Sequence, residues 1–218
     1  MTAALDSVLL DLDGTLVDSE AGILGSLREA FTEVGVPLPA GGLGRELLGP
    51  PLYTSLPPLV GEAATEALVL AYRRIYADSG WQLSTPYEGI TELLVELAGR
   101  GLTPVVATSK QEAAARLIVT KQGWDGLITD VCGDTPRAGR PTKAAVVGEA
   151  LSRLGGSTAI MVGDRHHDVE GARAHGLDCV GAGWGYGGPG ELIEAGALTV
   201  CADPSEILPV LVREGLLA

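Results

Sequence analysis

The sequence predicts an α/β protein: a doubly wound, Rossmann-like parallel sheet with a helical cap domain inserted near its start. Three observations carry this expectation. From Tyr87 onward, apolar runs of strand length alternate with stretches of helical period, the pattern of a parallel sheet covered by helices on both faces. Ahead of that alternation stands a single strand-like run, followed as far as residue 82 by helical patterning alone. Hydrophobic residues make up 46% of the 218 residues and aromatic ones only 4%. The core must therefore be built from Leu, Val, Ile and Ala, as in sheets buried on both faces.

The elements follow in order. Residues 7 to 12 read as the first strand, around Val8-Leu9-Leu10. Ile23, Leu24, Leu27, Ala30, Phe31 and Val34 recur at helical spacing, and Gly35-Val36-Pro37 ends that helix. Gly41 to Leu48 reads as a shorter helix closed by Gly49-Pro50-Pro51, and Ala64, Leu68, Ala71, Tyr72 and Ile75 form another stripe stopped by Gly80. Residues 18–82 are thus the expected cap, with hinges at Leu16-Val17 and Ser84-Thr85-Pro86. Residues 1–17 and 83–218 form the expected catalytic core. In that core, Ile90 to Arg100 predicts a helix, Thr103 to Ala107 a strand, Gln111 to Gln122 a helix and Leu127 to Val131 a strand. Thr142 suits the N-cap of a helix whose apolar face is Val146, Val147, Ala150, Leu151 and Leu154. Thr158 to Val162 predicts a strand, Asp168 to His175 a helix capped by Gly176, and Leu177 to Gly181 a strand. Leu198 to Cys201 is a further short element.

A chain of this length buries about 70% of its unfolded surface, so it needs no staples. Its three cysteines, Cys132, Cys179 and Cys201, lie far apart without metal-ligand spacing, and their number is odd. They read as core thiols in a reducing compartment. No basic flank followed by an apolar signal run opens the chain, and no segment is long enough to span a membrane, so a cytoplasmic protein is expected. The net charge of −13 argues against nucleic acid and anionic membranes as partners. It would also repel a phosphorylated substrate, so local cations must answer it. Lys110, Lys143 and Arg165 each fall beside a motif.

Four features stand at strand C-terminal ends, where parallel sheets gather their chemistry. Asp11-Leu12-Asp13-Gly14-Thr15 follows the first strand, Thr108-Ser109-Lys110 the second, Lys143 the third, and Asp164 the fourth, with Asp168 four residues on. These residue types suit covalent phosphoryl transfer. Asp11 would attack phosphorus, and Asp13 would protonate the leaving oxygen and then activate water. Gly14 would let backbone N–H groups turn onto the phosphoryl group. Thr108 or Ser109 would donate to its oxygens, with Lys110 beside them on the substrate side. Lys143 would neutralise developing charge and hold Asp11 as an anion. Mg²⁺ would hold the acidic cluster together, with the Asp11 carboxylate, the Asp13 carbonyl and the Asp164 carboxylate as ligands.

Taken together these residues resemble the haloacid dehalogenase superfamily. DLDGTLVDS matches the first motif of its phosphatase branch, VVATSK resembles the second and VGDRHHDVEGA the acidic fourth. The helical insertion, including Leu48-Gly49-Pro50-Pro51-Leu52, is similar to the cap of that branch. Gly183-Trp184-Gly185-Tyr186-Gly187, followed by Glu191-Leu192 and Ala195-Gly196-Ala197, resembles members described as phosphoglycolate phosphatases or 5′-nucleotidases. The resemblance implies a Mg²⁺-dependent phosphatase of a small phosphorylated metabolite, monomer or homodimer, with Asp168 in the catalytic set. A two-carbon acid phosphate is expected ahead of a nucleoside monophosphate. A phosphomutase remains an alternative if the cap excludes water. A true dehalogenase is disfavoured because that branch is implied to lack the second Asp. A signalling module would be shorter and capless, and a non-catalytic phosphate-binding protein would have no reason to keep these residue types. Many relatives carry Lys-Pro-x-Pro as the third motif. Here Gly139-Arg140-Pro141-Thr142-Lys143 puts the Lys after the Pro, so Lys143 is the expected cation and Arg140 the fallback.

Other residues stay open. Arg45 is the candidate cap residue for the leaving group, although a lone helical charge is more often solvated. Tyr72-Arg73-Arg74 reads as amphipathic packing. His166 and His167 are adjacent, share a metal poorly and read as polar surface. Trp184 and Tyr186 suit a structural turn or substrate stacking.

Overall fold

The computed structural model describes residues 5–135 and 142–217. Its strands are β1 (Ser7–Leu10), β2 (Val17–Asp18), β3 (Thr85–Pro86), β4 (Thr103–Gln111), β5 (Asp130–Asp134), β6 (Ala159–Gly163), β7 (Cys179–Ala182) and β8 (Thr199–Cys201). Among the described residues, six of these form one parallel sheet in the order β5-β4-β1-β6-β7-β8. The chain winds outward from β1 through β4 to β5, then returns to the other side of β1 and winds through β6 to β8. The order therefore reverses beside β1, and a crevice opens at the C-terminal ends of β1, β4 and β6.

β1 is buried at every position. Val8 and Leu10 pack into one core, with Leu94, Ile118, Trp124 and Leu211. Leu9 packs into the core on the opposite face, with Val105, Met161, Val146 and Val169. Alternate side chains of a strand point to opposite faces, so a strand covered on both must read as a continuous apolar run. Each such side chain stabilises the fold by roughly 1.5–3 kcal/mol on burial.

Between β2 and β3 lie α1 (Glu20–Val34), a 3-10 turn at Arg45–Leu47, α2 (Leu52–Ser55), α3 (Pro57–Val60), α4 (Glu62–Asp78) and a second 3-10 turn at Gly80–Leu83. Their apolar stripes close on each other. Leu27, Phe31, Leu48, Leu56, Leu68 and Ile75 form a core joined from the sheet side by Ala114 and Tyr186. β2 and β3 pair antiparallel, Val17 with Pro86 and Asp18 with Thr85, so the two connections to the sheet run side by side. The remaining helices are α5 (Ile90–Gly99), α6 (Glu112–Lys121), α7 (Lys143–Leu154), α8 (His166–Arg173), α9 (Glu191–Ala195) and α10 (Ile207–Arg213). Thr142 caps α7, its hydroxyl accepting from the Ala145 N–H at 3.2 Å. Cys132, Cys179 and Cys201 are buried and free. Among the described residues no helix is long and apolar enough to cross a membrane.

Several expected boundaries move; the first strand, expected to reach residue 12, ends at Leu10. The strand expected at Leu127 to Val131 begins at Asp130, because Leu127 and Ile128 donate their N–H groups to the Trp124 carbonyl and complete a turn around that buried indole. Gly41 to Leu48 is no helix; only Arg45–Leu47 winds, as a single 3-10 turn. β4 continues through a register shift to Gln111, so the helix after it starts one residue later, at Glu112. α8 starts at His166, two residues before Asp168.

Candidate active site

The first motif leaves β1 at Asp11, whose N–H donates to the Val162 carbonyl at 2.9 Å and keeps it in register with β6. The chain then turns: Leu16 and Val17 donate back to the Leu12 carbonyl, and the Gly14 N–H donates to the Val17 carbonyl at 2.9 Å. The N–H of Gly14 itself is committed within the turn. The residue type is required sterically. Gly14 has φ +86°, and a Cβ there would collide with the Asp164 carboxylate.

Around that turn the structure brings together residues far apart in sequence. The Lys143 ammonium, buried at the start of α7, lies 2.7 Å from Asp11 Oδ1 and 2.7 Å from Asp168 Oδ1. Gly171 on α8 lets the lysine stem lie close, since a Cβ there would stand 2.9 Å from Lys143 Cγ. Arg140, the fallback cation, lies outside the described residues. The Lys110 ammonium sits 2.7 Å from Asp13 Oδ2 and 4.2 Å above the Tyr76 ring. The Ser19 hydroxyl donates to Asp13 Oδ1 at 2.6 Å. Asp164 accepts from the Thr15 hydroxyl at 3.1 Å and from the Tyr186 N–H at 2.8 Å. Asp168 accepts from the Arg165 N–H at 3.0 Å, closing the first turn of α8. Thr108 is buried in β4 where its register with β5 shifts after Ala107, and its hydroxyl accepts from the Lys110 N–H at 3.2 Å.

Carboxylate oxygens of Asp11, Asp164 and Asp168 lie within 4.8 Å of one another, all three residues buried. Burial, then the Asp168 and Asp11 charges, push the Asp164 carboxyl well above the usual carboxylate range. Burial also raises Asp168, to about 6, despite the pull of Lys143. For Lys143, burial opposes the charge, but Asp11 and Asp168 outweigh it and the ammonium is held. Three buried carboxylates beside one ammonium lack positive charge, and all their donors are oxygens. That set fits a hard divalent cation. The Asp13 carboxylate faces Lys110 and Ser19 instead, so only its backbone carbonyl is left to serve as a ligand there.

A cavity of about 420 Å³ opens between these strand ends and the helical insertion. Asp11, Asp13, Thr108, Ser109 and Lys110 line its floor. Ile23, Leu47, Leu52, Val69, Tyr72 and Tyr76 line its wall, with Tyr53 and Arg73. Arg45, expected there, is not on the lining. Its guanidinium pairs with Glu20 at 2.8 Å in solvent, because the 3-10 turn that sends Leu47 inward sends Arg45 outward. Arg73, read as ordinary packing, does line the cavity and pairs with Asp134 at 3.0 Å. Arg165 is committed elsewhere: it pairs with Glu191 at 2.9 Å and donates to the Leu48 carbonyl of the insertion.

Trp184 and Tyr186 brace the first motif. The indole N–H donates to the Thr15 carbonyl at 3.0 Å, and the Tyr186 hydroxyl accepts from the Ser19 N–H and donates to Asp18. Ring nitrogens of His166 and His167 come within 4.8 Å of a Glu170 oxygen, a third donor that the reading of adjacent histidines left out. His166 also meets Glu191 at 2.7 Å. Thr15, Ser19 and Tyr186 support the acidic residues; all three lie inside motifs quoted above, but nothing in the sequence assigned them to these carboxylates.

Residues 8–182 match the sequence model of the haloacid dehalogenase-like hydrolases. A tyrosine-protein kinase of Mycobacterium tuberculosis, PtkA, is 43% identical over 183 residues, 83% of this chain. That aligned stretch spans 62% of the relative's own length. The solved structure of PtkA superposes with a TM-score of 0.81 at 37% identity, covering 95% of this chain and 98% of that one. A 5′-nucleotidase of Pseudomonas aeruginosa is 34% identical over 94% of this chain and 95% of its own. A phosphoglycolate phosphatase of Xanthomonas campestris is 29% identical over 83% of this chain and 84% of its own.

Proposed function

The chain belongs to the haloacid dehalogenase-like hydrolase family, and within it we propose a Mg²⁺-dependent phosphatase of small phosphomonoesters that works through an aspartyl-phosphate. One observation carries the reading. Two buried carboxylates leave one strand end together, and each faces a different ammonium: Asp11 faces Lys143, and Asp13 faces Lys110. Separate environments let two like groups take separate roles. Asp11, kept anionic by Lys143, attacks phosphorus, and the bond from phosphorus to the leaving oxygen breaks. Asp13 gives that oxygen its proton. Asp13 then takes a proton from water, whose oxygen attacks phosphorus and frees Asp11 and inorganic phosphate. Ser19 holds the Asp13 carboxylate in place. Thr108 and Ser109 donate to phosphoryl oxygens, and Asp168 positions Lys143.

Asp11, Asp164 and the Asp13 carbonyl would hold Mg²⁺, which supplies positive charge against the phosphoryl oxygens when bound. Residues 18–82 would act as a lid, with the paired β2 and β3 as its hinge. The relative named a tyrosine-protein kinase supports a second reading, in which an acceptor hydroxyl takes the phosphoryl group from Asp11 in place of water.

Phosphate release from a panel of phosphate esters, with Mg²⁺ and with a chelator, tests the proposal. Release that needs Mg²⁺ and falls by about 10⁴-fold or more in a folded Asp11→Asn protein is expected. Release undiminished by the chelator, or kept within tenfold in Asp11→Asn, would overturn it.

A further inference from the structure

The wall of the cavity is aromatic in a chain that is poor in aromatic residues. Tyr53, Tyr72 and Tyr76 line it together with Ile23, Leu52 and Val69. Tyr72 and Tyr76 stand one helical turn apart on α4, ring centroids 5.5 Å apart and tilted by 33°. One face of Tyr76 is taken by the Lys110 ammonium. Tyr72 is half-buried, and Tyr53 is 43% exposed with the Arg73 guanidinium 5.5 Å from its ring. The Tyr76 hydroxyl is buried and has no hydrogen-bond partner among the described residues. A buried donor left unmade is costly unless something meets it.

The charges on the same wall point the same way. Among the described residues lining the cavity, Arg73 is paired with Asp134 and Lys110 with Asp13. A leaving group carrying its own negative charge would meet cations whose charge is already balanced by a carboxylate. A neutral ring would leave both intact and bury apolar surface against the tyrosines.

We propose that the leaving group this site takes ends in a flat, uncharged aromatic ring, seated against Tyr72 and Tyr53. The inference rests on the phosphatase reading above, which places the phosphoryl group at Asp11. It makes Tyr72 and Tyr53 specificity-determining residues and places nucleoside and aryl monophosphates ahead of small acid phosphates.

The test uses two non-hydrolysable probes with the same phosphorus–carbon linkage, benzylphosphonate and phosphonoacetate, titrated calorimetrically into the full chain with Mg²⁺. Benzylphosphonate should bind about tenfold tighter, the gain expected for burying a ring against aromatic faces. Tyr72→Ala should cut that preference to about threefold or less. Tyr53→Ala, at a more exposed position that the fold does not depend on, should lower it in the same direction. Equal or tighter binding of phosphonoacetate, or a preference untouched by both substitutions, overturns the inference. Phosphate release from benzyl phosphate, followed alongside, reads the phosphatase proposal separately. Its absence with the binding preference intact sinks that proposal alone.

Discussion

The floor and the wall of the cavity face each other and are built by opposite rules. On and beneath the floor, charge meets charge: Asp11 and Asp13 on the lining and Asp164 and Asp168 behind it are buried, and the ammonium groups of Lys110 and Lys143 are spent on three of them. The wall comes from packing: Tyr72 and Tyr76 project from α4, whose Leu68 and Ile75 close the insertion's own core, and Tyr53 projects from α2. A buried charge is tolerated only beside its partner, so a change on the floor disturbs fold and chemistry together. A change on the wall alters what fits. On the proposed reading, the floor fixes the reaction and the wall selects the ester.

The largest break in that contrast is Lys143→Ala. It leaves Asp11 and Asp168 facing each other without a cation, so stability should fall by about 3–5 kcal/mol. Turnover should fall at least about 100-fold. Thermal unfolding and phosphate release on one preparation check both. Lost turnover with unchanged stability would mean that the buried pairs are not what holds the floor.

Gly171→Ala sharpens the contrast by moving the lysine without removing it. Alanine favours the helix by about 1 kcal/mol over glycine, which offsets the shift forced on the Lys143 stem. Stability should stay near wild type, while kcat falls about tenfold because the ammonium is displaced from Asp11. Unchanged kcat would show that the position of the ammonium is not critical.

The smallest effect belongs to the joint between floor and wall. Glu191 holds Arg165, which reaches the Leu48 carbonyl of the insertion. Burial pushes the Glu191 carboxyl up, but the His166 and Gly188 N–H groups, the His166 ring and Arg165 hold it down, from 4.5 to about 2. A depressed carboxylate contributes fully above its ordinary pKa and loses that contribution as pH falls through the folded value. Wild type should thus lose a modest stabilisation between about pH 4.5 and 2 that Glu191→Gln lacks at every pH. Parallel melting curves across that window would contradict this linkage.

The two regions also differ in how far they could be read from the chain. Asp11, Asp13, Thr108 and Asp164 stand at or near the C-terminal ends of strands, with Lys143 and Asp168 in the first turns of the helices that follow, and the parallel order of the sheet brings those ends together. Residue type and topology therefore sufficed to place them. Arg45 and Arg73 look alike in sequence, each a cation on an apparently helical stretch. Which one faces the cavity depends on residues 41–48 winding as a single 3-10 turn and on the rotation of α4, both set by packing across the insertion. The sequence marks Gly14 as a residue that lets backbone N–H groups turn. Only the Val17 carbonyl beside it, and the Asp164 carboxylate under it, show why it must be glycine. Leu127 and Ile128 pattern as strand but close a turn on Trp124, a long-range consequence of where that indole is buried.

The central claim is that Asp11 carries the phosphoryl group. Rapid acid quenching of the protein mixed with a radiolabelled phosphoester and Mg²⁺ tests it directly. Label should remain on the protein, be released by hydroxylamine as an acyl phosphate is, and map to the peptide that contains Asp11, with none retained by Asp11→Asn. Phosphate release without protein-bound label at any quench time, or label on a peptide lacking Asp11, would contradict the account.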